Sequence, residues 1–284
     1  MRIFISFLIF LLISNLNFSQ TFTYQYSIGK FKNASAFTIT SAGKIYVSDA
    51  ASDEIIKLDT LGIYLKDVGG YGWDEGTFDQ PVDIFANPLN VYVTDKNNHR
   101  IQRFDKDLNF ISLLYTRESD NPAERFGYPL SAVTSNQGDL FILDSENKRI
   151  LKFDLFGNFI MNFGGFDGGA YALVNPKQMV VSPSNNLFVL DGKELKVFDQ
   201  YGNGVNEIET EFELKSINIV FNNLLLNTDN KILMTNLKAG IFKFSEITIE
   251  DKLVISPIVS SLLFNGTLYI LKPNEIRIYS LAKS

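Results

Sequence analysis

The residues with the clearest capacity for chemistry are six that recur two places after a proline slot: Ala36, Asp83, Ser131, Gln178, Asn223 and Val259. If the recurrence is structural, their side chains approach one common axis. Asp83, Gln178 and Asn223 then offer one carboxylate and two amide oxygens, hard donors of the kind Ca²⁺ accepts. A cation held there would polarise a substrate carbonyl, as in metal-assisted hydrolysis. Other chemistry is scarce. The chain has no cysteine and one histidine, His99, which excludes thiolate nucleophiles, thiolate metal sites and multi-histidine zinc sites. Gly69-Gly70 and Gly164-Gly165 follow strand patterns with no helix opening after them, so no phosphate loop is formed.

A second group of candidates is aromatic and charged. It falls in three long segments, 69–81, 115–129 and 164–176, which lead into successive proline slots. Tyr71, Trp73, Tyr115, Arg117, Arg125, Tyr128, Phe166 and Tyr171 lie in these segments and are the expected binding residues. Phe78 and Phe126 stand three residues before their prolines, a place that suits core packing.

The elements that must position both groups form a repeat. KIYVSDAASDEIIKLD begins at Lys44, NVYVTDKNNHRIQRFD at Asn90 and DLFILDSENKRILKFD at Asp139, with echoes from Asn186, Lys231 and Thr267. The starts lie 46, 49, 47, 45 and 36 residues apart. Short alternating strands at that period predict an all-β, six-bladed β-propeller with four antiparallel strands per blade. Asp49, Asp95, Asp144 and Asp191 end the second strands, where turn formers are expected. Pro81, Pro129 and Pro176 begin innermost strands, where proline sacrifices no ladder hydrogen bond. The fifth innermost strand is predicted at Asn223 to Asn227. The last copy stops after three strands, and Phe22 to Ile28 matches the missing outermost one. The N-terminal strand is therefore predicted to complete the last blade, which removes an exposed edge.

Asn98-His99-Arg100-Ile101, framed by Val93-Thr94-Asp95 and Phe104-Asp105, closely resembles the NHL repeat. Gly69-Gly70-Tyr71-Gly72, running through Gly76 and Phe78 to Pro81, resembles it too. The resemblance is strong over roughly residues 30–200 and weak beyond. It implies a six-bladed propeller used to dock proteins, carbohydrates or nucleic acid, and some propellers of related build are lactonases, lyases or other hydrolases. It also makes His99 a turn residue of the repeat and not a general base.

Residues 1–20 read as a signal peptide: Arg2, an apolar run from Ile3 to Ile13 too short to span a bilayer, then polar residues. Residues 21–284 are one propeller domain. Cleavage is expected after Ser19 or Gln20, giving a periplasmic or secreted protein with no inserted membrane segment. With 26 basic and 32 acidic residues the formal charge is −6, which argues against nucleic acid as a partner. The leading expectation is a non-enzymatic, monomeric binding propeller. It presents the face of blades 2–4 to a protein, peptide or glycan and carries no cofactor. The alternative is a lactonase-like hydrolase with an axial cation, Ca²⁺ above all. A third reading, a structural envelope component, would use the apolar segments Leu224 to Leu226 and Leu253 to Ile258.

Overall fold

The computed structural model describes residues 20–239, 242–250 and 257–282. Six antiparallel sheets follow one another along the chain. Blade 1 comprises Ala34–Ile39, Lys44–Asp49, Glu54–Asp59 and Tyr64–Gly69; blade 2 comprises Pro81–Ala86, Asn90–Asp95, Arg100–Asp105 and Phe110–Leu114. Blade 3 runs through Pro129–Thr134, Leu140–Asp144, Arg149–Phe153 and Phe159–Phe163, and blade 4 through Pro176–Val181, Leu187–Asp191, Glu194–Phe198 and Gly204–Glu209. Blade 5 has Ser216–Val220, Asn223–Asn227, Ile232–Asn236 and the short Ser245–Glu246. Blade 6 has Ser260–Phe264, Thr267–Leu271 and Ile276–Leu281, completed by the N-terminal strand Thr21–Ile28. Each innermost strand neighbours the next, and that of blade 6 returns to that of blade 1, so the ring closes.

The closing strand pairs as the repeat predicts, from Phe22 opposite Leu281 to Ile28 opposite Ile276. A further short strand, Thr248–Ile249, runs parallel along its outer edge. The N terminus of the propeller is thus gripped from both sides. The core lies between blades, where alternate residues of the inner strands interleave. Val47, Val93, Ile142, Val189 and Leu224 are fully buried, and so are Phe78 and Phe126.

Blade 5 departs from the predicted register. Asn223–Asn227 is its second strand, not its innermost, and Lys231 precedes the third. The short interval therefore separates copies four and five, with Asn227 in the slot of Asp191. The cause is local. Only residues 210–215 link blade 4 to blade 5, where earlier blades have a long loop and a proline. Leu224 to Leu226 are buried core. Of the other apolar segment, residues 251–256 lie outside the described residues, as do residues 1–19 of the expected signal peptide.

Candidate functional site

The channel mouth gathers side chains from the first strands of the ring around a cavity of about 120 Å³, including Ser35, Asp83, Gln178, Ser216 and Ser260. These groups are bonded to one another. Ser35 and Ser48 both donate to the Pro81 carbonyl, at 2.8 and 2.6 Å. Gln178 Nε2 donates to Asp83 Oδ1 at 3.0 Å, and Gln178 Oε1 accepts the Ile217 N–H at 2.9 Å. Asn218 Nδ2 donates to Ser260 Oγ at 2.6 Å. Ser131 Oγ contacts Asp83 Oδ2 and lies 2.9 Å from the Met179 carbonyl. Hydrogen bonds thereby run from blade 1 through to blade 6.

Asp83 is buried. Burial pushes its carboxyl up to about 6, against the pull of its hydrogen bonds from Ser131, Gln178 and the Ile84 backbone. The bonding agrees with that direction. A hydroxyl has one proton, so Ser131 can donate to only one of its two acceptors. When Asp83 is protonated it donates to Ser131, and Ser131 donates to Met179.

The expected calcium set does not assemble here. Asn223 opens the second strand of blade 5 and its Oδ1 accepts from Asn236 Nδ2 at 2.9 Å, away from the axis. Asp83 and Gln178 do meet, but their oxygens are already taken. Among the described residues no three acidic or histidine side chains converge. This donor arrangement does not fit a Ca²⁺ cage, which needs several free oxygens.

The second group lies on the loops that lead into blades 2–4, and a buried clamp sets their shape. Asp95 ends the second strand of blade 2. Its Oδ1 accepts the Asp79 N–H at 2.9 Å, and its Oδ2 accepts from Asn98 Nδ2 at 2.9 Å and Arg100 Nε at 2.7 Å. Arg100 then reaches the carbonyls of Trp73, Asp74 and Thr77 at 2.5, 3.1 and 2.9 Å. Gln102 donates to Thr77 O at 2.7 Å and accepts the Gly76 N–H at 2.9 Å, while Asn98 holds Gly72 O at 2.8 Å. Burial pushes the Asp95 carboxyl up, opposed by these donors. The side chains of the repeat signature therefore satisfy backbone groups of a loop that lies outside the four strands of the blade.

Blades 3 and 4 repeat the device with variations. Asp144 accepts from Gly127 N and Asn147 Nδ2, and Arg149 reaches Arg125 O at 2.8 Å. In blade 4 the turn is shorter, and Lys196 takes the arginine's place from the cross-strand register of Gln102. It donates to Ala170 O and Ala172 O at 3.0 and 2.9 Å. These acids have the sequence setting of turn formers, and their clamp role shows only in combination with the residues that follow them. Asp, Asn, Arg and Gln at 95, 98, 100 and 102 was the available signal, because Arg100 and Gln102 share one strand face.

With the backbone pinned, the candidate binding residues divide. Tyr71 and Trp73 are 76% and 60% exposed, Tyr128 is 42% exposed, and Phe166 is fully exposed. Trp73 rests over the Arg100 guanidinium, 5.9 Å from the ring centre. Arg117 pairs with Glu146 at 3.0 Å and lies over Tyr128, whose ring meets His99 edge-on. His99 Nδ1 accepts the Tyr128 N–H at 2.9 Å, so it is a turn and latch residue. Burial and Arg117 hold its imidazole below the usual range. Arg125 donates to Ser119 O at 2.6 Å and Tyr115 is half-buried. Tyr171 does not join the exposed set: its ring packs on Phe198 and fills the space beside Gly204, where a Cβ would collide with it.

The NHL repeat family matches residues 78–104, the segment that carries the blade 2 clamp. The chain is a six-bladed propeller that carries an NHL repeat in blade 2. Half of this chain aligns with Protein brain tumor of Drosophila melanogaster, 33% identical over 146 residues that make up 13% of that protein. B-box type zinc finger protein ncl-1 of Caenorhabditis elegans is 29% identical over 145 residues, half of this chain and 16% of its own. The alignments thus span a small fraction of these curated relatives. A streptogramin B lyase structure shares the fold at TM-score 0.61 and 16% identity, covering 91% of this chain and 87% of that one. A catalytically inactive virginiamycin B lyase from Staphylococcus aureus with quinupristin gives 0.63 at 12% identity, covering 90% and 99%. At these identities the likeness is one of fold alone.

Proposed function

We propose that this NHL-repeat propeller is an exported, non-enzymatic binding protein whose blade 2–4 face holds a protein, peptide or glycan. One observation carries the reading. Exposed rings of Tyr71 and Trp73 stand on a loop whose backbone is fixed from below by a buried Asp95–Arg100 pair. Aromatic anchors on a pre-set backbone lose little freedom on binding, which is the condition for a hot spot. The axial groups, by contrast, bond mainly to each other. No cofactor is needed, the protein is taken as a monomer, and its negative charge disfavours a phosphate backbone.

Binding is tested by screening the mature protein on peptide and glycan arrays, then repeating with Tyr71→Ala plus Trp73→Ala. Loss of the captured probes at unchanged melting temperature is expected; undiminished capture contradicts the reading. Export is tested separately, by N-terminal sequencing after expression with residues 1–20 in place. Cleavage after Ser19 keeps Gln20, whose carbonyl accepts the Thr248 N–H at 3.1 Å. An unprocessed N terminus contradicts export.

A further inference from the structure

Neighbouring blades are also joined on the side away from the aromatic loops, by a device that is built in three successive blades and crosses to the next blade in two of them. In blades 1–3 the second strand places an aromatic ring opposite a cation on the third: Tyr46 with Lys57, Tyr92 with Arg103, Phe141 with Lys152. Each cation lies over its ring, at 5.8, 5.9 and 5.4 Å. Lys57 then crosses to blade 2, donating to Lys106 O at 2.7 Å and pairing with Asp107, while the Tyr46 hydroxyl donates to the same carbonyl at 2.6 Å. Lys152 crosses to blade 4 in the same way and donates to Gln200 O at 3.0 Å. Both carbonyls belong to the residue just after the aspartate that closes the third strand of the next blade.

Between blades 2 and 3 the corresponding carbonyl is that of Leu155, and Arg103 does not take it. Arg103 turns back to its own blade, Nε donating to Asn90 Oδ1 at 3.0 Å. Its two terminal nitrogens make no hydrogen bond and no ion pair among the described residues, and neither does the Tyr92 hydroxyl. Where the clamp is missing, a cavity of about 260 Å³ opens, lined by Tyr92, Arg103, Leu113, Leu140, Leu155 and Phe156. Asp154 also borders it, but both its oxygens are occupied by the Phe156 and Asn158 amides and the Asn158 side chain. A planar guanidinium with open donors, a phenol and an apolar wall therefore share one opening.

We propose that this cavity is a binding site for a small amphiphilic carboxylate. The carboxylate pairs with the terminal nitrogens of Arg103 and accepts from the Tyr92 hydroxyl, and the apolar body lies against Leu113, Leu140 and Leu155. A guanidinium suits a carboxylate because its paired donors match the two oxygens. The wall selects against a bare inorganic anion, which brings no apolar surface to bury.

The test uses octanoate as probe, with octanol and inorganic phosphate as controls, read by calorimetry and by leucine methyl NMR on the mature protein. Octanoate is expected to bind at one site and shift the methyls of Leu113, Leu140 and Leu155. Octanol should bind at least ~10-fold more weakly, because it lacks the charge, and phosphate should leave those methyls unmoved. Arg103→Met should weaken octanoate by at least ~10-fold. A second variant, Arg103→Lys, keeps the charge but is expected to reach Leu155 O as Lys57 and Lys152 reach theirs. It should close the cavity, reduce octanoate binding and raise the melting temperature. Equal affinity for octanol, methyl shifts elsewhere, or wild-type octanoate affinity in either variant would overturn the proposal.

Discussion

Blades 2 and 5 have the same strand count and opposite chemistry at the end of the second strand. In blade 2, Asp95 and Arg100 form a buried pair that carries three loop carbonyls. In blade 5 the slot holds Asn227, which donates to Ser216 and accepts from Ser261 near the axis, and no arginine follows. Blade 2 is approached by a loop of residues 70–80; blade 5 is approached by residues 210–215. Blade 1 makes the same point. Its approach is short, Asp49 accepts the Lys32 and Asn33 N–H groups directly, and Glu54 stands where an arginine would. The signature residues are thus equipment for holding a long loop over the propeller face, and a blade without such a loop folds without them.

The contrast breaks most sharply at Asp95. Asp95→Ala leaves Arg100 buried and without its carboxylate, which should cost about 3–5 kcal/mol in urea unfolding. Asn223→Ala in blade 5 removes only a half-buried amide pair and should stay within ~0.5 kcal/mol. Equal costs at the two sites would erase the distinction between the blades.

Asp83 gives the next largest effect, through pH. Its folded carboxyl is raised from the ordinary 3.8 to about 6, so the folded state holds the proton more tightly than the unfolded chain. The resulting stabilisation is complete below about pH 3.8 and is lost as pH rises through about 6, a change of about 3 kcal/mol. Asp83→Asn should flatten that part of the stability profile, measured by urea unfolding between pH 3.5 and 7.5. A wild-type profile that rises through that window would reverse the sign.

Two smaller effects sharpen the division within the face. Tyr171→Ala should cost about 1–2 kcal/mol because its ring packs on Phe198, while Trp73→Ala should stay within ~0.5 kcal/mol in the same assay. Millimolar calcium should leave the melting temperature unchanged, because the oxygens of Asp83 and Gln178 are already bonded; a calcium-dependent rise would revive the hydrolase reading.

Most of the ring was legible because the repeat repeats its physics. Alternation and the aspartate at each second-strand end fix blades 1–4, helped in blades 2–4 by the proline that opens the inner strand, and Phe22 to Ile28 has the pattern of the strand blade 6 lacks. Blade 5 was misread because Asn223-Leu-Leu-Leu-Asn carries no proline cue, and Lys231-Ile-Leu-Met imitates a second strand. That shift placed Asn223 on the axis, where Ser216 stands instead, held by Asn227. Exposure of Tyr71 and Trp73 was within reach of loop length alone. Tyr171 was not, because its packing depends on a glycine, Gly204, far along the chain.

Hydrogen exchange at the amides of Gly72, Gly76 and Phe78 reports most directly on whether the signature residues hold the loop. These N–H groups donate to Phe78 O, Gln102 Oε1 and Gly70 O at 3.0, 2.9 and 2.9 Å. They should be protected to nearly the level of the blade 2 strands in the wild type, and should lose that protection in Arg100→Gln while blade 5 amides keep theirs. Free exchange at all three in the wild type, or full protection in Arg100→Gln, would contradict the clamp.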